Sequence, residues 1–252
     1  KYADESKGEL YVARQPRSPV SEAFRSLRTN LEFAGVDKPI KSILVTSPGP
    51  GEGKTTVSAN LAAIIAQGGK RVILMDADLR RPCIHRMLGI PNRVGLSAVF
   101  RGHLDLQTAI HSWDGAEGMK VITSGSLPPN PAELLGSAKM IQILEELKAQ
   151  TDMVVIDCPP SLVADAQVLA AKVDAVLLVI YPGHTHIDAA RATLEQLGRA
   201  DARVVGAVLN RIPRERGYYY GGYWYHYYRG DQYQYYGDSS DGGRKKKRRS
   251  VS

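Results

Sequence analysis

The chain has 252 residues, 43% hydrophobic and 23% charged, which is enough apolar material for a full core and argues against wholesale disorder. Only two cysteines, Cys83 and Cys158, are present, so no disulfide framework is expected, and no run of about 18 uncharged apolar residues is there to cross a membrane. The net charge of +7 sits mostly at the end: from Arg214 onward nine Lys/Arg face four Asp/Glu, leaving +2 for residues 1–213, so the body has no basic face of the kind that binds nucleic acid.

Residues 1–19 are polar and punctuated by Pro16 and Pro19, which reads as an arm or linker before a domain spanning 20–213. The start, Lys1-Tyr2-Ala3, has no Met and no signal-peptide pattern, as expected for a piece of something longer. Ser21 to Phe33 carries Ala23, Phe24, Leu27 and Leu31 at helical spacing. Short apolar runs then alternate with helical patterns. The runs are 43–46, 72–75, 121–123, 153–156, 175–180 and 204–209, and the expected helices lie near 55–67, 84–88, 131–149, 163–171 and 186–200. The runs lack period-2 alternation, as strands buried on both faces do. Asn130-Pro131-Ala132-Glu133 is a helix start, with Asn as N-cap and Pro in the first turn. The pattern predicts an α/β fold: a mostly parallel central sheet flanked by helices on both faces. From Tyr218 to Tyr236 aliphatic residues vanish and ten tyrosines appear, so residues 214–252 read as a disordered tail, ending in the cationic run Arg244–Arg249.

Three segments carry chemistry. Ser47-Pro-Gly-Pro-Gly-Glu-Gly-Lys-Thr-Thr56 follows a strand and precedes a helix, the context of a phosphate-binding P-loop, although Pro48 replaces the first glycine of the strict pattern. Gly49, Gly51, Glu52, Gly53, Lys54, Thr55 and Thr56 are therefore candidate nucleotide ligands, with Lys54 on the phosphates and Thr55 on Mg²⁺. Met153-Val-Val-Ile-Asp157 is a strand ending in a metal-supporting carboxylate. Val72-Ile-Leu-Met-Asp76-Ala-Asp78-Leu-Arg80-Arg81 places two carboxylates two residues apart, pointing the same way in extended geometry. Together these suit phosphoryl transfer, with one carboxylate in the metal shell and another orienting or deprotonating a hydroxyl. The plainer alternative is a carboxylate pair neutralised by Arg80 and Arg81.

From about Pro16 to the end, these segments resemble the bacterial tyrosine kinases of capsule and exopolysaccharide systems. The resemblance rests on Gly51-Glu-Gly-Lys-Thr55, Leu74-Met-Asp-Ala-Asp-Leu-Arg80, Val155-Ile-Asp157 and the Tyr218–Tyr236 cluster, in that order. It implies a P-loop NTPase-like fold, ATP and Mg²⁺ as cofactors, Lys54, Asp76 and Asp78 as catalytic residues, and Thr55, Asp78 and Asp157 around the metal. It also implies an adenine-side position at Asn210-Arg211. Tyr218, Tyr219, Tyr220, Tyr223, Tyr225, Tyr227, Tyr228, Tyr233, Tyr235 and Tyr236 become the expected phosphorylation sites. Glu22-Ala-Phe-Arg25-Ser-Leu-Arg28 matches the family's E-x-x-R-x-x-R helix, which implies ring-like self-association; read from spacing alone, it is an intrahelical ion pair.

The resemblance further implies protein tyrosine substrates and a transmembrane polysaccharide co-polymerase or adaptor segment, in the same chain or a separate one. The domain would then lie on the cytoplasmic side of the bacterial inner membrane. The rival reading is a ParA/MinD-like nucleotide-switched ATPase scaffold. That group characteristically has a lysine where this chain has Gly49, and the tyrosine cluster separates the two readings further.

Overall fold

The structure is a computed structural model, and it describes residues 10–212. The 214–252 tail, all ten expected phosphorylation sites and residues 1–9 lie outside the described residues.

The strands are β1 (Ser42–Thr46), β2 (Val72–Asp76), β3 (Ile110–Ser112), β4 (Met119–Ile122), β5 (Met153–Asp157), β6 (Ala175–Ile180) and β7 (Val204–Leu209). They form one sheet in the order β3-β4-β2-β5-β1-β6-β7, parallel throughout except for the antiparallel edge strand β3. β1, β2 and β5 are buried at every position. Alternate side chains feed two cores: Ile43, Leu74 and Val155 on one face, and Leu44, Met75 and Ile156 on the other. That double burial explains why these strands read as unbroken apolar runs.

The helices are α1 (Tyr11–Arg14), α2 (Pro19–Ala34), α3 (Lys54–Gln67), α4 (Ile84–Leu88), α5 (Leu96–Phe100), α6 (Pro131–Gly136), α7 (Ala138–Gln150), α8 (Ala164–Ala170) and α9 (Ile187–Arg199). None of the described helices is long and apolar enough to cross a membrane. Ser18 caps α2 by accepting the Ser21 N–H, and Pro19 fills the first helical position.

The structure departs from the sequence reading in four places. The stretch 10–19 is not a free arm: Leu10 and Val12 are buried in the core beside α3, at 2% and 0% exposure. The helix expected over 131–149 is two helices. Ser137, extended at φ −69° and ψ 160°, ends α6 and caps α7 by accepting the Met140 N–H. Asn130 does not cap α6 with its side chain, because its amide donates to Glu133 Oε2 at 2.6 Å instead. Finally, α5 and β3 were not anticipated, being only five and three residues long, too short for a period to show.

Candidate active site

β1 lies between β5 and β6, and its carboxyl end runs into the loop 47–53 and then the 14-residue helix α3. A crevice beyond the carboxyl ends of parallel strands, at the amino end of a long helix, is where a phosphate is held by backbone N–H groups and the helix dipole. Gly53 is the N-cap of α3 at φ +95°, and a Cβ there would come within 2.1 Å of Asn210 Nδ2, so backbone conformation and space both require glycine. Gly51, at φ +77°, completes the bend.

The loop is braced from the side of β6 and β7. Glu52 is 2% exposed; its Oε2 accepts the Gly49 N–H and its Oε1 accepts the Thr185 hydroxyl at 2.6 Å. The Asn210 amide donates to the Glu52 carbonyl at 2.9 Å. Glu52, expected as a nucleotide ligand, therefore turns its carboxylate onto the loop itself. Arg211 adopts φ +59° and sets its guanidinium over the Tyr181 ring, 5.4 Å from the centroid. Thr185 and Tyr181 had no motif in the sequence to mark them.

Three carboxylates converge opposite the loop. Asp76 and Asp157 are register partners at the ends of the neighbouring strands β2 and β5, so both project from the same end of the sheet, and both are completely buried. Asp78, 3% exposed, accepts the Lys54 ammonium on Oδ2 at 3.2 Å, while its Oδ1 takes the Arg80 and Arg81 N–H groups. Asp76 is held differently: Oδ1 accepts the Asp78 N–H, and Oδ2 accepts those of Cys83 and Ile84. The geometry thus separates a carboxylate that meets Lys54 from one that shapes the loop. The alternative in which Arg80 and Arg81 neutralise the pair does not hold for Arg80, whose guanidinium makes a two-pronged bond to buried Asp165, both contacts 2.8 Å.

The charges are strained by burial. Desolvation, reinforced by the Asp157 charge, pushes Asp76 up to about 8. Desolvation also raises Asp157, to about 6, although Lys54 and the Thr55 and Ser58 hydroxyls pull it back. Burial alone would lower Lys54, but Asp157 and Asp78 outweigh it and hold the ammonium above its ordinary value. Ser58, at i+4 from Lys54, donates to Asp157 Oδ1 at 3.2 Å, while Asp157 Oδ2 is buried without a hydrogen-bond partner. An orphaned carboxylate oxygen near a threonine hydroxyl and a phosphate-type loop is the donor set that a hard divalent cation takes, and Mg²⁺ needs only one or two such carboxylates besides phosphate and water. Cys158 is buried with its thiol pushed up by desolvation, so it packs rather than reacts.

The E-x-x-R-x-x-R residues are used within the chain. Glu22 pairs with Arg25, whose other nitrogen donates to the Pro16 carbonyl. Arg28 reaches across to the Ile64 carbonyl near the end of α3 at 3.1 Å.

Comparison with known proteins places these features in context. The ParA family model, described as NUBPL iron-transfer P-loop NTPase, matches residues 39–212. The tyrosine-protein kinase YwqD of Bacillus subtilis is 43% identical over 210 residues, covering 81% of this chain and 88% of that protein. The putative tyrosine-protein kinase EpsB of Ralstonia solanacearum is 40% identical over 208 residues, covering 82% of this chain; the chain spans only 28% of that longer protein. Among solved structures, the kinase domain of the Escherichia coli tyrosine kinase ETK superposes with a TM-score of 0.79 at 36% identity, over 83% of this chain and 82% of that one. The septum site-determining protein MinD of Pyrococcus horikoshii, solved with Mg-ADP, has a TM-score of 0.61 at 26% identity, over 70% of this chain and 72% of its own.

Proposed function

The chain belongs to the bacterial tyrosine-protein kinases and to the ParA-type P-loop NTPase family, and on that premise we propose that it transfers the γ-phosphoryl group of Mg·ATP to protein tyrosines, including those at 218–236 of a second copy. The observation that carries this reading is Lys54 held against Asp78 beside the orphaned Asp157 oxygen, at the mouth of a glycine-shaped loop.

Lys54 would exchange Asp78 for the β- and γ-phosphates, which frees Asp78 Oδ2. Thr55 and Asp157 would hold Mg²⁺, whose charge supplies electrostatic stabilisation of the moving phosphoryl group. The bond from the γ-phosphorus to the bridging oxygen breaks, one to the phenol oxygen forms, and the phenol proton passes to a carboxylate. Asp78 is better placed for that proton than Asp76, both of whose oxygens are held by backbone N–H groups of their own loop. A phenol with a pKa near 10 is a weak nucleophile at neutral pH. A loose transition state needs positioning and charge more than nucleophilic push.

In the same reading the enzyme acts in capsule or exopolysaccharide production. It would work at the cytoplasmic side of the inner membrane with a transmembrane adaptor segment, as a ring-like homo-oligomer built through Glu22, Arg25 and Arg28. Each phosphotyrosine adds roughly −1.5 to −2 charge, so ten would reverse the +5 of the 214–252 segment and drive copies apart. Native mass spectrometry before and after ATP checks this: an assembly unchanged by full phosphorylation contradicts it.

The ParA family match favours a second reading, a nucleotide-switched scaffold without kinase activity. One experiment separates the two: incubation with Mg·ATP and tryptic mass spectrometry, with Lys54→Met alongside. Phosphate on Tyr218–Tyr236 in the unsubstituted chain alone supports the kinase, whereas ADP release without phosphotyrosine supports the scaffold.

A further inference from the structure

Two large aliphatic side chains stand in solvent on either side of the P-loop. Leu162 is 72% exposed and Ile187 is 70% exposed. They follow β5 and β6, the two strands that flank β1, so neither is more than one strand away from the phosphate-binding turn. At a strand spacing of about 4.8 Å, the carboxyl ends of β5 and β6 stand roughly 10 Å apart.

Neither residue is on a loose loop. The turn that carries Leu162 is pinned twice: the Ser161 N–H donates to the carbonyl of Ser47, the first residue of the P-loop segment, at 2.9 Å, and the Ser161 hydroxyl bonds Thr193 of α9 at 2.8 Å. Ser161 itself is 1% exposed. On the other side, Thr185 ties the turn ahead of Ile187 to Glu52 at 2.6 Å and accepts the Tyr181 N–H at 3.0 Å. Both turns are thus bonded to the loop that would hold the phosphates, yet the aliphatic residue of each is turned outward. Rigid, buried anchoring of an exposed aliphatic side chain gives no folding benefit, since the area remains in water; it suits a surface that is covered when something binds.

We propose that Leu162 and Ile187 form an apolar jaw that grips the tyrosine-rich segment of a second copy of this chain and so presents a phenol to the site. The proposal rests on the tyrosine-kinase reading and adds the surface by which that kinase recognises its acceptor. The occupant follows from chemistry. Tyr218–Tyr236 contains ten tyrosines and a tryptophan but no aliphatic residue, and its one Arg and one Asp cancel, so its only means of adhesion to such a jaw is the flat apolar body of its rings. A tyrosine ring held between two aliphatic side chains leaves its hydroxyl free, which is the group the reaction needs. Tyrosines two residues apart, such as Tyr223, Tyr225 and Tyr227, fall on the same side of an extended strand. Successive rings then replace one another in the jaw without a defined sequence motif.

The test uses full-length chains. A tagged Lys54→Met chain, unable to phosphorylate itself, serves as acceptor, and the donor is the unsubstituted chain or its Leu162→Ser/Ile187→Ser double variant. The expected result is a KM for the acceptor raised about tenfold in the double variant, with affinity for a fluorescent ADP analogue unchanged and with recovery in Leu162→Met/Ile187→Leu. An unchanged acceptor KM overturns the proposal. So does an equal loss of nucleotide affinity, which would mean that the two residues act on the P-loop. Should no phosphate reach tyrosine at all, the kinase reading fails, and binding of the same two chains in Mg·ADP, followed by fluorescence anisotropy, decides the jaw separately: weaker binding by the double variant supports it, and equal binding overturns it. Acceptor chains with Tyr218–Tyr236 changed to Ser must bind the unsubstituted donor no better than the double variant binds intact acceptor; tight binding without the tyrosines assigns the jaw to another occupant and overturns it.

Discussion

β5 and β7 belong to one parallel sheet, yet they break the ordinary rule of burial in opposite directions. β5 has strands on both sides and ends in Asp157, a carboxylate with no exposure at all; β7 has β6 on one side only, has no fully buried residue, and ends in Leu209 at 57% exposure. The centre of the molecule puts charge inside, and its rim puts aliphatic surface outside. The first arrangement costs stability, because a carboxylate out of water resists ionisation, and it is tolerable here because Lys54 and two hydroxyls face it. The second leaves apolar area unburied. Each becomes intelligible once something else is present: phosphates and a cation at the centre, another polypeptide at the rim.

The contrast can be broken most directly at the centre. Lys54→Met is expected to lower tyrosine phosphorylation at least about a hundredfold, the scale of losing a preorganised charge in a transition state, with the loss read by phosphotyrosine mass spectrometry; near-normal labelling would remove Lys54 from the chemistry. Gly53→Ala should cost about 3 kcal/mol, since it strains a positive-φ position and collides with the Asn210 amide; calorimetry should then show a melting point several degrees lower and weakened ADP binding.

Asp157→Asn sharpens the comparison through pH. The folded-state pKa of Asp157, about 6, lies above its unfolded value, so the native state holds a proton that the unfolded chain has already lost between roughly pH 4 and 6. Stability from this group is therefore present at low pH and is lost as pH rises through that window. Asparagine removes the penalty: the nucleotide-free variant should be more stable than the parent by about 2 kcal/mol at pH 8 and no more stable at pH 4, while its kinase activity disappears. A gain that is independent of pH would contradict the account.

Smaller effects are expected at the supports. The Asn60 side chain accepts the Val12 N–H at 3.1 Å and donates to the Thr56 carbonyl in the first turn of α3, so Asn60→Ala should cost about 1–2 kcal/mol and speed amide hydrogen exchange at Val12. Arg25→Ala should change the stability of the single chain by less than about 0.5 kcal/mol, because its ion pair with Glu22 is part-exposed. If Arg25 serves self-association, its effect belongs in assembly mass measurements and not in the melting curve.

Much of the site was legible in order along the chain. The P-loop, the Asp76/Asp78 pair and Asp157 each sit at a strand end, and short-range patterns mark all three: apolar runs, glycine spacing and alternation. Their convergence was inferred from the pattern, and the structure supplies it as the Lys54–Asp78 contact. What went unread was of another kind. Thr185, Ser161 and Asp165 are ordinary residues in ordinary segments, and they matter only because β6 and β5 flank β1 and α8 meets the loop after β2. Leu10 and Val12 looked like part of a polar arm because two apolar residues make no period; the core they enter is built by α3, some fifty residues away.

The sequence by itself therefore determined the parallel α/β class, the phosphate loop and the chemical types gathered around it, because backbone conformation and local periodicity are properties of neighbouring residues. Only the tertiary structure decided that Asp78 and not Asp76 faces Lys54, that Glu52 braces the loop, that Arg28 is spent within the chain, and that Leu162 and Ile187 are left in water on either side of the P-loop. Those outcomes depend on strand order and on which partner first satisfies a buried polar group, and such choices are made between segments far apart in the chain.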